Sequence, residues 1–447
     1  MSENLKTEFP GRRNFIGKLS ALGALSVSGS WSKPVGNESI IETELTESQA
    51  NEQISGTTWP KLTFKKASTL CRENGPNLTN LFCRLDVPIS GNLKHFQIMG
   101  SGGETQFIQA IHSTESYIFY KDQFYSLAES DEISFEYALT SISVSYKNEK
   151  FPFFITKKIF LPSNYACCIQ HVSVKNTTTQ PLEMYFVEKA KFTLGDPYYT
   201  LPAVQDSEYC TGFKATNELA RNYSGKFLMS GKDVFKVWCR DDQIRYQMNT
   251  TKQPWKADQY IFRNCDDQSA LLQKKLNVSG NSETDFSIYY SAGAASNETI
   301  NGIKELSSLF QTDCFSQLET VLTKQAHQLA MIQTPDALLN QGFAISNKVS
   351  GQVFQSADGL VALPGHMYSN FYSRDSHWQI HGLLANGKFE QVKELLTHFI
   401  KYQNAEGSFP TRINLAGKPI YHTSAPDLDS AALIWLSLRL LPNFGLM

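Results

Sequence analysis

The sequence predicts a multi-domain β + α protein, in which an antiparallel β-sandwich domain is followed by a helical domain. The chain has 447 residues, which at about 150 residues per domain suggests two to three domains. From Trp59 to about Tyr290, short β-rich runs are separated by turn residues, and no helical pattern lies between them. Helical spacing begins near Asn297 and continues to the end of the chain. Strands without intervening helices favour an antiparallel sandwich over a parallel sheet.

The clearest strands form three consecutive runs. Residues 151–161, 168–174 and 182–188 are rich in aromatic and β-branched residues, and turn residues separate them at 162–164 and 176–177. Within the second run, Ile169, His171 and Ser173 alternate with Cys168, Gln170, Val172 and Val174, although the apolar and polar residues are imperfectly separated. We place the sandwich domain at residues 59–296.

The C-terminal part is predicted to be all-helical. Residues 297–334 contain a long amphipathic linker helix, and a domain built from paired helices follows at residues 335–447. Its helices are expected at residues 335–353, 375–386, 389–405 and 426–441, and Gly387 and Gly407 follow the second and third of them. The last helix is apolar nearly all round, as expected for a helix that packs on several sides, and any face it leaves uncovered would favour self-association.

The N-terminus resembles a twin-arginine export signal. Arg12-Arg13 is followed by Phe15 and by a mild apolar run that ends in Ser28-Gly29-Ser30. An amphipathic N-terminal helix is the alternative. We assign residues 1–31 to the signal and 32–58 to a polar linker, which implies a periplasmic or secreted bacterial protein. No run approaches the roughly 20 apolar residues of a spanning helix, so no membrane association is expected after the signal is removed.

Charge and cysteine usage exclude several classes of function. The 41 Lys+Arg and 43 Asp+Glu residues give a net charge of -2, so no basic surface for nucleic acid is expected. The eight cysteines contain no CxxC spacing, and His377 and His381 lack the intervening glutamate of HExxH. We therefore predict no metal site and no cofactor. Cys167 and Cys168 are predicted to be buried thiols or part of one distant disulfide.

The densest polar and aromatic cluster lies at residues 368–378. Within it, Arg374-Asp375 stands at a predicted helix start, with Tyr372 and Trp378 on either side. A carboxylate accepts sugar hydroxyls, a guanidinium donates to them in a fork, and an aromatic ring covers the apolar face of a pyranose. The competing interpretation is structural: Asp375 caps the helix and Arg374 pairs with a nearby carboxylate.

A second cluster, residues 421–429, begins with Tyr421 and contains Asp427 and Asp429. Pro426 suits the first position of a helix, and both aspartates then fall in its first turn, where the helix dipole favours them without any ligand. Asp427 and Asp429 are nevertheless weak candidates for a catalytic carboxylate.

The order of these features resembles the six-hairpin glycosidases, a superfamily that includes glucoamylases, glycogen-debranching amylo-1,6-glucosidases and related disaccharide phosphorylases. The similar features are Arg374-Asp375, the Gly-ended helices, residues 407–410, Tyr421 and the acidic helix start, preceded by a sheet domain with Lys158-Ile159-Phe160-Leu161-Pro162. The resemblance implies a supersandwich followed by a partial (α/α)6 toroid. It also implies that Tyr372, Arg374, Asp375, Trp378 and Tyr421 bind the substrate.

The implied activity is hydrolysis of glycosidic bonds in α-glucan-like oligosaccharides or polysaccharides. Such hydrolysis uses two carboxyl groups, yet only two hairpins follow residue 335, and six would need about 200 residues more. We therefore expect a truncated, catalytically incomplete chain that self-associates or is completed by another chain. A disaccharide phosphorylase and an exported, non-catalytic carbohydrate-binding protein remain as alternatives.

Overall fold

The first part of the chain is built almost entirely from strands. The structure, a computed structural model, describes residues 61–99, 108–138, 141–162, 165–195, 203–205, 212–215, 223–230, 233–260, 268–294, 332–350, 353–356, 358–364, 370–421 and 428–440. The predicted export signal at 1–31, the predicted polar linker at 32–58 and most of the predicted linker helix at 297–334 lie outside these residues, as does Asp427. Residues 57–447 form one compact unit.

Eighteen strands are described between residues 61 and 294. They are β1 (Lys61–Lys65), β2 (Asn77–Thr79), β3 (Cys83–Asp86), β4 (Lys94–Ile98), β5 (Ile108–Tyr120), β6 (Gln123–Ser126), β7 (Glu132–Tyr137), β8 (Ile142–Lys147), β9 (Phe153–Phe160), β10 (Cys167–Asn176), β11 (Leu182–Gly195), β12 (Ala203–Gln205), β13 (Gly212–Ala215), β14 (Tyr223–Met229), β15 (Val234–Arg240), β16 (Gln259–Tyr260), β17 (Gln268–Val278) and β18 (Glu283–Ala294). The short helices α1 (Thr69–Glu73) and α2 (Asp241–Tyr246) lie among them.

These strands form two nine-stranded sheets. The first has the order β1-β7-β8-β9-β10-β18-β14-β13-β12, and the second has the order β16-β15-β17-β11-β5-β4-β3-β2, with β6 paired to β5. Their pairs are antiparallel except for the two-residue contact of β15 with β16. The predicted strand runs correspond to β9, β10 and β11. The prediction of an antiparallel sandwich is therefore confirmed.

The two sheets share one apolar core. Phe96, Ile118 and Phe186 of the second sheet pack in the same buried cluster as Val144 and Ile288 of the first. Cys168, Gln170, Val172 and Val174 lie on the buried side of β10. Cys83, Cys167, Cys168 and Cys239 are buried free thiols. Burial raises the pKa of the Cys167 thiol, which therefore stays protonated at neutral pH.

The helical part contains four described helices. They are α3 (Ala337–Ser350), α4 (Ser373–Ala385), α5 (Phe389–Ile400) and α6 (Leu428–Leu440). Leu383 and Leu384 of α4, Leu395 and Phe399 of α5 and Ile434 of α6 lie in one buried cluster. Among the described residues, no helix is long and apolar enough to cross a membrane.

A tight turn joins α4 to α5. The backbone N–H of Lys388 donates to the Leu383 carbonyl, and the N–H of Gly387 donates to that of Leu384. Gly387 has a φ of 69°, a left-handed conformation that glycine adopts without steric cost. The turn is thus a Schellman motif, in agreement with the predicted Gly-terminated helix.

The prediction that this part is all-helical was wrong in one respect, because it also contains two small sheets. One pairs β19 (Val353–Ser356) with β20 (Gly359–Ala362), and the other joins β21 (Asn370–Tyr372), β22 (Arg412–Asn414) and β23 (Pro419–Ile420). The first predicted helix therefore ends at Ser350 and not at Val353, and α5 ends at Ile400 and not at residue 405. Strands of two to four residues are too short for periodicity in the sequence to reveal.

Candidate functional site

The predicted sugar-binding cluster begins where β21 passes into α4. Tyr372 is the last residue of β21 and the residue that precedes α4, with an extended backbone. The backbone N–H of Ser373 donates to the Thr411 carbonyl at 3.1 Å, and the Ser376 hydroxyl donates to the Tyr372 carbonyl at 2.5 Å. The small sheet therefore fixes the position of the first turn of α4.

Arg374 and Asp375 are the second and third residues of α4. Asp375 is half-buried, and within the described part of the chain its carboxylate has no hydrogen-bond partner. The capping position belongs to Tyr372, which makes no side-chain capping hydrogen bond. Asp375 thus does not cap α4, and its carboxylate remains available to accept ligand hydroxyls at the positive end of the helix.

Trp378 lies one turn beyond Asp375 on the same helix. Its side chain is 65% exposed, whereas a large aromatic residue is ordinarily mostly buried. The indole contacts the rings of His377 and His381, with centroid separations of 5.0 and 6.1 Å. An exposed, laterally supported indole three residues after a carboxylate is the arrangement that can cover a sugar ring.

His377 connects α4 to α6. His377 is buried, and its Nδ1 lies 2.7 Å from the Ser437 Oγ of α6. Burial and the neighbouring His381 lower the pKa of His377, which favours its neutral form. Within the described residues, no group of three or more His, Cys, Asp or Glu side chains could hold a metal ion.

Arg412 contacts the candidate site residue Tyr372, and sequence reasoning did not identify it. It lies directly opposite Tyr372 in the register of β21 and β22. Its Nη1 donates to the Tyr372 hydroxyl at 3.0 Å, and its Cζ lies 5.7 Å from the centroid of the Tyr372 ring. The sequence places Arg412 in an extended loop 40 positions away, and only strand pairing brings it to the start of α4.

Tyr421 belongs to a different contact. Its hydroxyl donates to the Tyr402 carbonyl at 2.5 Å, just beyond the end of α5, and burial raises the pKa of its phenol. Tyr421 therefore anchors the segment after β23 to α5. Asp429 is the second residue of α6, but its side chain, like the whole of Asp427, lies outside the described residues.

Asp358 is a further carboxylate in the helical part, and its surroundings oppose a role as a general acid. It accepts hydrogen bonds from the Tyr402 hydroxyl and from the Lys401 ammonium, the latter at 3.1 Å. These two bonds lower the pKa of Asp358. A general acid at a glycosidic oxygen requires a raised pKa instead.

Three comparisons with known proteins bear on this arrangement. The family model described as Trehalase matches residues 241–410, a range that includes β21, α4 and α5. A search of curated proteins finds no match. A bacterial glucoamylase complexed with acarbose is similar in structure with a TM-score of 0.53 at 13% identity, and the match covers 87% of this chain and 60% of that one. A putative kojibiose phosphorylase from human microbiome is similar with a TM-score of 0.55 at 10% identity, covering 87% and 58%.

The two structural matches extend across both the sandwich and the helical part of the chain. The chain spans about 60% of the length of the structures that it matches. At these identities the similarity concerns the fold alone. The fold of the chain is thus similar to those of a bacterial glucoamylase and a putative kojibiose phosphorylase, and residues 241–410 match the family model described as Trehalase.

Proposed function

We propose that the chain is a carbohydrate-active protein of the glycoside hydrolase class that binds α-glucan-like oligosaccharides at the start of α4. The observation that carries the proposal is the Asp375 carboxylate, which is half-buried and has no hydrogen-bond partner within the described residues. Arg374 precedes it, and the exposed Trp378 follows one turn later. Together they offer acceptor, donor and aromatic ring, the three groups that sugar binding uses.

Each residue has a defined role in this proposal. Asp375 accepts hydrogen bonds from two hydroxyls of the terminal sugar, where the dipole of α4 favours its negative charge. Arg374 donates to neighbouring sugar oxygens, and Trp378 covers the apolar face of a sugar ring. The glucoamylase that shares this fold is complexed with acarbose, which supports an oligosaccharide ligand and supplies a probe for binding.

Hydrolysis requires two carboxyl groups in addition to the residues that bind the sugar. One carboxyl group protonates the leaving oxygen, and a second activates water or attacks the sugar. We propose Asp427 or Asp429 as one of these groups.

Titration calorimetry with maltotriose and with acarbose tests the binding proposal. We expect saturable binding that Asp375→Asn weakens at least about tenfold, because the amide loses the charge that strengthens hydrogen bonds from hydroxyls. Glu390→Gln is the matched control, since Glu390 also lies in the first turn of a helix and is exposed. Absence of binding by the unmodified protein, or equal effects of both substitutions, would contradict the proposal.

Turnover assays separate hydrolysis from the alternatives. Maltooligosaccharides, isomaltose, cellobiose and aryl glycosides would be incubated with the purified chain, with and without inorganic phosphate. Turnover that depends on phosphate would support a disaccharide phosphorylase, the second candidate, because one of the matched folds belongs to a putative kojibiose phosphorylase. Hydrolysis without phosphate that Asp427→Asn or Asp429→Asn abolishes would support the proposed catalytic carboxylate, and hydrolysis that both variants retain would contradict it. Binding without turnover would support the non-catalytic carbohydrate-binding alternative.

A further inference from the structure

The pairing of β21 with β22 fixes Arg412 beside the proposed sugar site. Tyr372 and Arg412 are register partners, and Arg412 is also paired with Ile420 on its other side. The Thr411 carbonyl accepts hydrogen bonds from both the N–H and the hydroxyl of Ser373, each at 3.1 Å. The backbone on both sides of the contact is therefore held in place.

The Arg412 guanidinium contacts Tyr372 in two ways. Its Nη1 donates to the phenol oxygen at 3.0 Å, and its Cζ lies 5.7 Å from the ring centroid. A hydrogen bond from a charged donor is stronger than one between neutral groups, and the cation also attracts the face of the ring. Rotation of the Tyr372 ring would break both contacts.

The contact between Arg412 and Tyr372 leaves one donor atom of the guanidinium unpaired. The Nε of Arg412 is buried and has no hydrogen-bond partner within the described residues. An unpaired buried donor destabilises a protein, and an apolar side chain at this position would remove that penalty. A cost of this kind is expected where an arrangement serves binding and not stability.

We propose that Arg412 is a positioning residue that acts through Tyr372, holding the phenol ring as one wall of the sugar-binding site. The proposal rests on the proposed function. Tyr372 directly precedes α4 and stands two and three positions before Arg374 and Asp375 in the chain. A ring that is already fixed before the ligand binds loses no side-chain entropy on binding. The affinity is therefore higher than with a mobile ring.

A double-mutant cycle tests whether Arg412 acts through the tyrosine hydroxyl. Affinity for maltotriose would be measured for Arg412→Met, Tyr372→Phe and the double variant, together with the thermal midpoint of each. We expect each single variant to bind about three- to tenfold more weakly. The double variant should bind no more weakly than either single variant, because both changes break the same bond. Lys418→Met is the control, since Lys418 is an exposed cation in the same hairpin.

The outcomes are distinguishable. Unchanged affinity of Arg412→Met or Tyr372→Phe, with sugar binding by the unmodified protein intact, would overturn the positioning role and leave the proposed function standing. Additive losses in the double variant would overturn it in favour of a direct contact between Arg412 and the sugar. Absence of binding by the unmodified protein would overturn both proposals. If Arg412→Met does not fold, the affinity of Tyr372→Phe for maltotriose becomes the test. This substitution removes a single oxygen and leaves the rest of the ring in place.

Discussion

The ammonium of Lys157 lies 3.9 Å from the carboxylate of Glu188, and both side chains are fully buried between the two sheets of the sandwich. Lys157 donates to the Ser116 hydroxyl at 2.7 Å and to the Gly91 carbonyl at 2.9 Å. Glu188 accepts hydrogen bonds from Tyr290 at 2.7 Å and from Gln170 at 3.1 Å. The network joins β9, β10 and β18 of one sheet to β5 and β11 of the other.

Removing one partner of this buried pair should destabilise the protein much more than the intact pair stabilises it. Glu188→Gln leaves a buried ammonium without a counter-charge, and we expect it to lower the free energy of unfolding by about 3–5 kcal/mol. Lys157→Met should have a similar effect, and the double variant should lose less than the sum of the two. Urea denaturation followed by tryptophan fluorescence measures these differences. The surface pair of Lys275 and Glu183, 2.9 Å apart, is the control, and Lys275→Met should leave the midpoint almost unchanged.

A second charged network predicts how stability depends on acid. Burial raises the pKa of Asp241, but hydrogen bonds from Lys189 at 2.7 Å and Arg245 at 2.6 Å outweigh it and hold the pKa at about 2. Because the folded-state pKa lies below the unfolded value of 3.8, the stabilisation is fully present above 3.8 and is lost as the pH falls toward 2. The shift corresponds to roughly 2 kcal/mol.

Asp241→Asn removes this acid-dependent contribution. The variant should be less stable than the unmodified protein near neutral pH, and the difference should shrink as the pH is lowered through the range between 3.8 and 2. Urea midpoints measured at several pH values give the comparison. A constant difference at all pH values would mean that the depressed pKa of Asp241 does not contribute.

Substitution of Asp375 should weaken oligosaccharide binding while leaving the free energy of unfolding almost unchanged. Asp375 does not cap α4 and makes no hydrogen bond within the described residues, so Asp375→Ala should change the free energy of unfolding by less than about 1 kcal/mol. Oligosaccharide binding should nevertheless be strongly weakened. A loss of stability larger than this with unchanged affinity would restore the structural interpretation of this residue.

The outer surface of α6 predicts self-association. Trp435 is 56% exposed and Leu436 is 50% exposed, whereas Ile434 is buried in the cluster formed by α4 and α5. We expect the purified chain to form concentration-dependent oligomers, seen by light scattering after size exclusion, and Leu436→Lys to reduce them. Leu70→Lys, at an exposed leucine of α1 in the sandwich part, should have no such effect. Oligomers that persist in both variants would exclude this surface as the interface.

The sequence was most informative where the pattern is local. The runs that form β9, β10 and β11 were predicted because strand-forming residues and turn residues follow each other along the chain. Arg374, Asp375 and Trp378 were grouped because they lie close together in the sequence, and their role in binding stays a prediction. Arg412 was missed because its contact with Tyr372 depends on pairing between segments 40 positions apart, which no local pattern encodes. Tyr421 was grouped with the sugar-binding residues by its neighbours in the chain, whereas its hydroxyl contacts Tyr402.

The sandwich and the helical part contribute residues to one buried apolar cluster. Met99, which follows β4, lies in the same buried cluster as Val353 and Phe354 of β19, and Leu81 packs against that cluster. The backbone N–H of Gln355 donates to the Leu81 carbonyl at 2.7 Å. A sandwich expressed as a separate fragment would therefore expose apolar side chains to water and lose the hydrogen bond to the Leu81 carbonyl. Substituting polar residues for Leu81 and Met99 would be needed to keep such a fragment from aggregating.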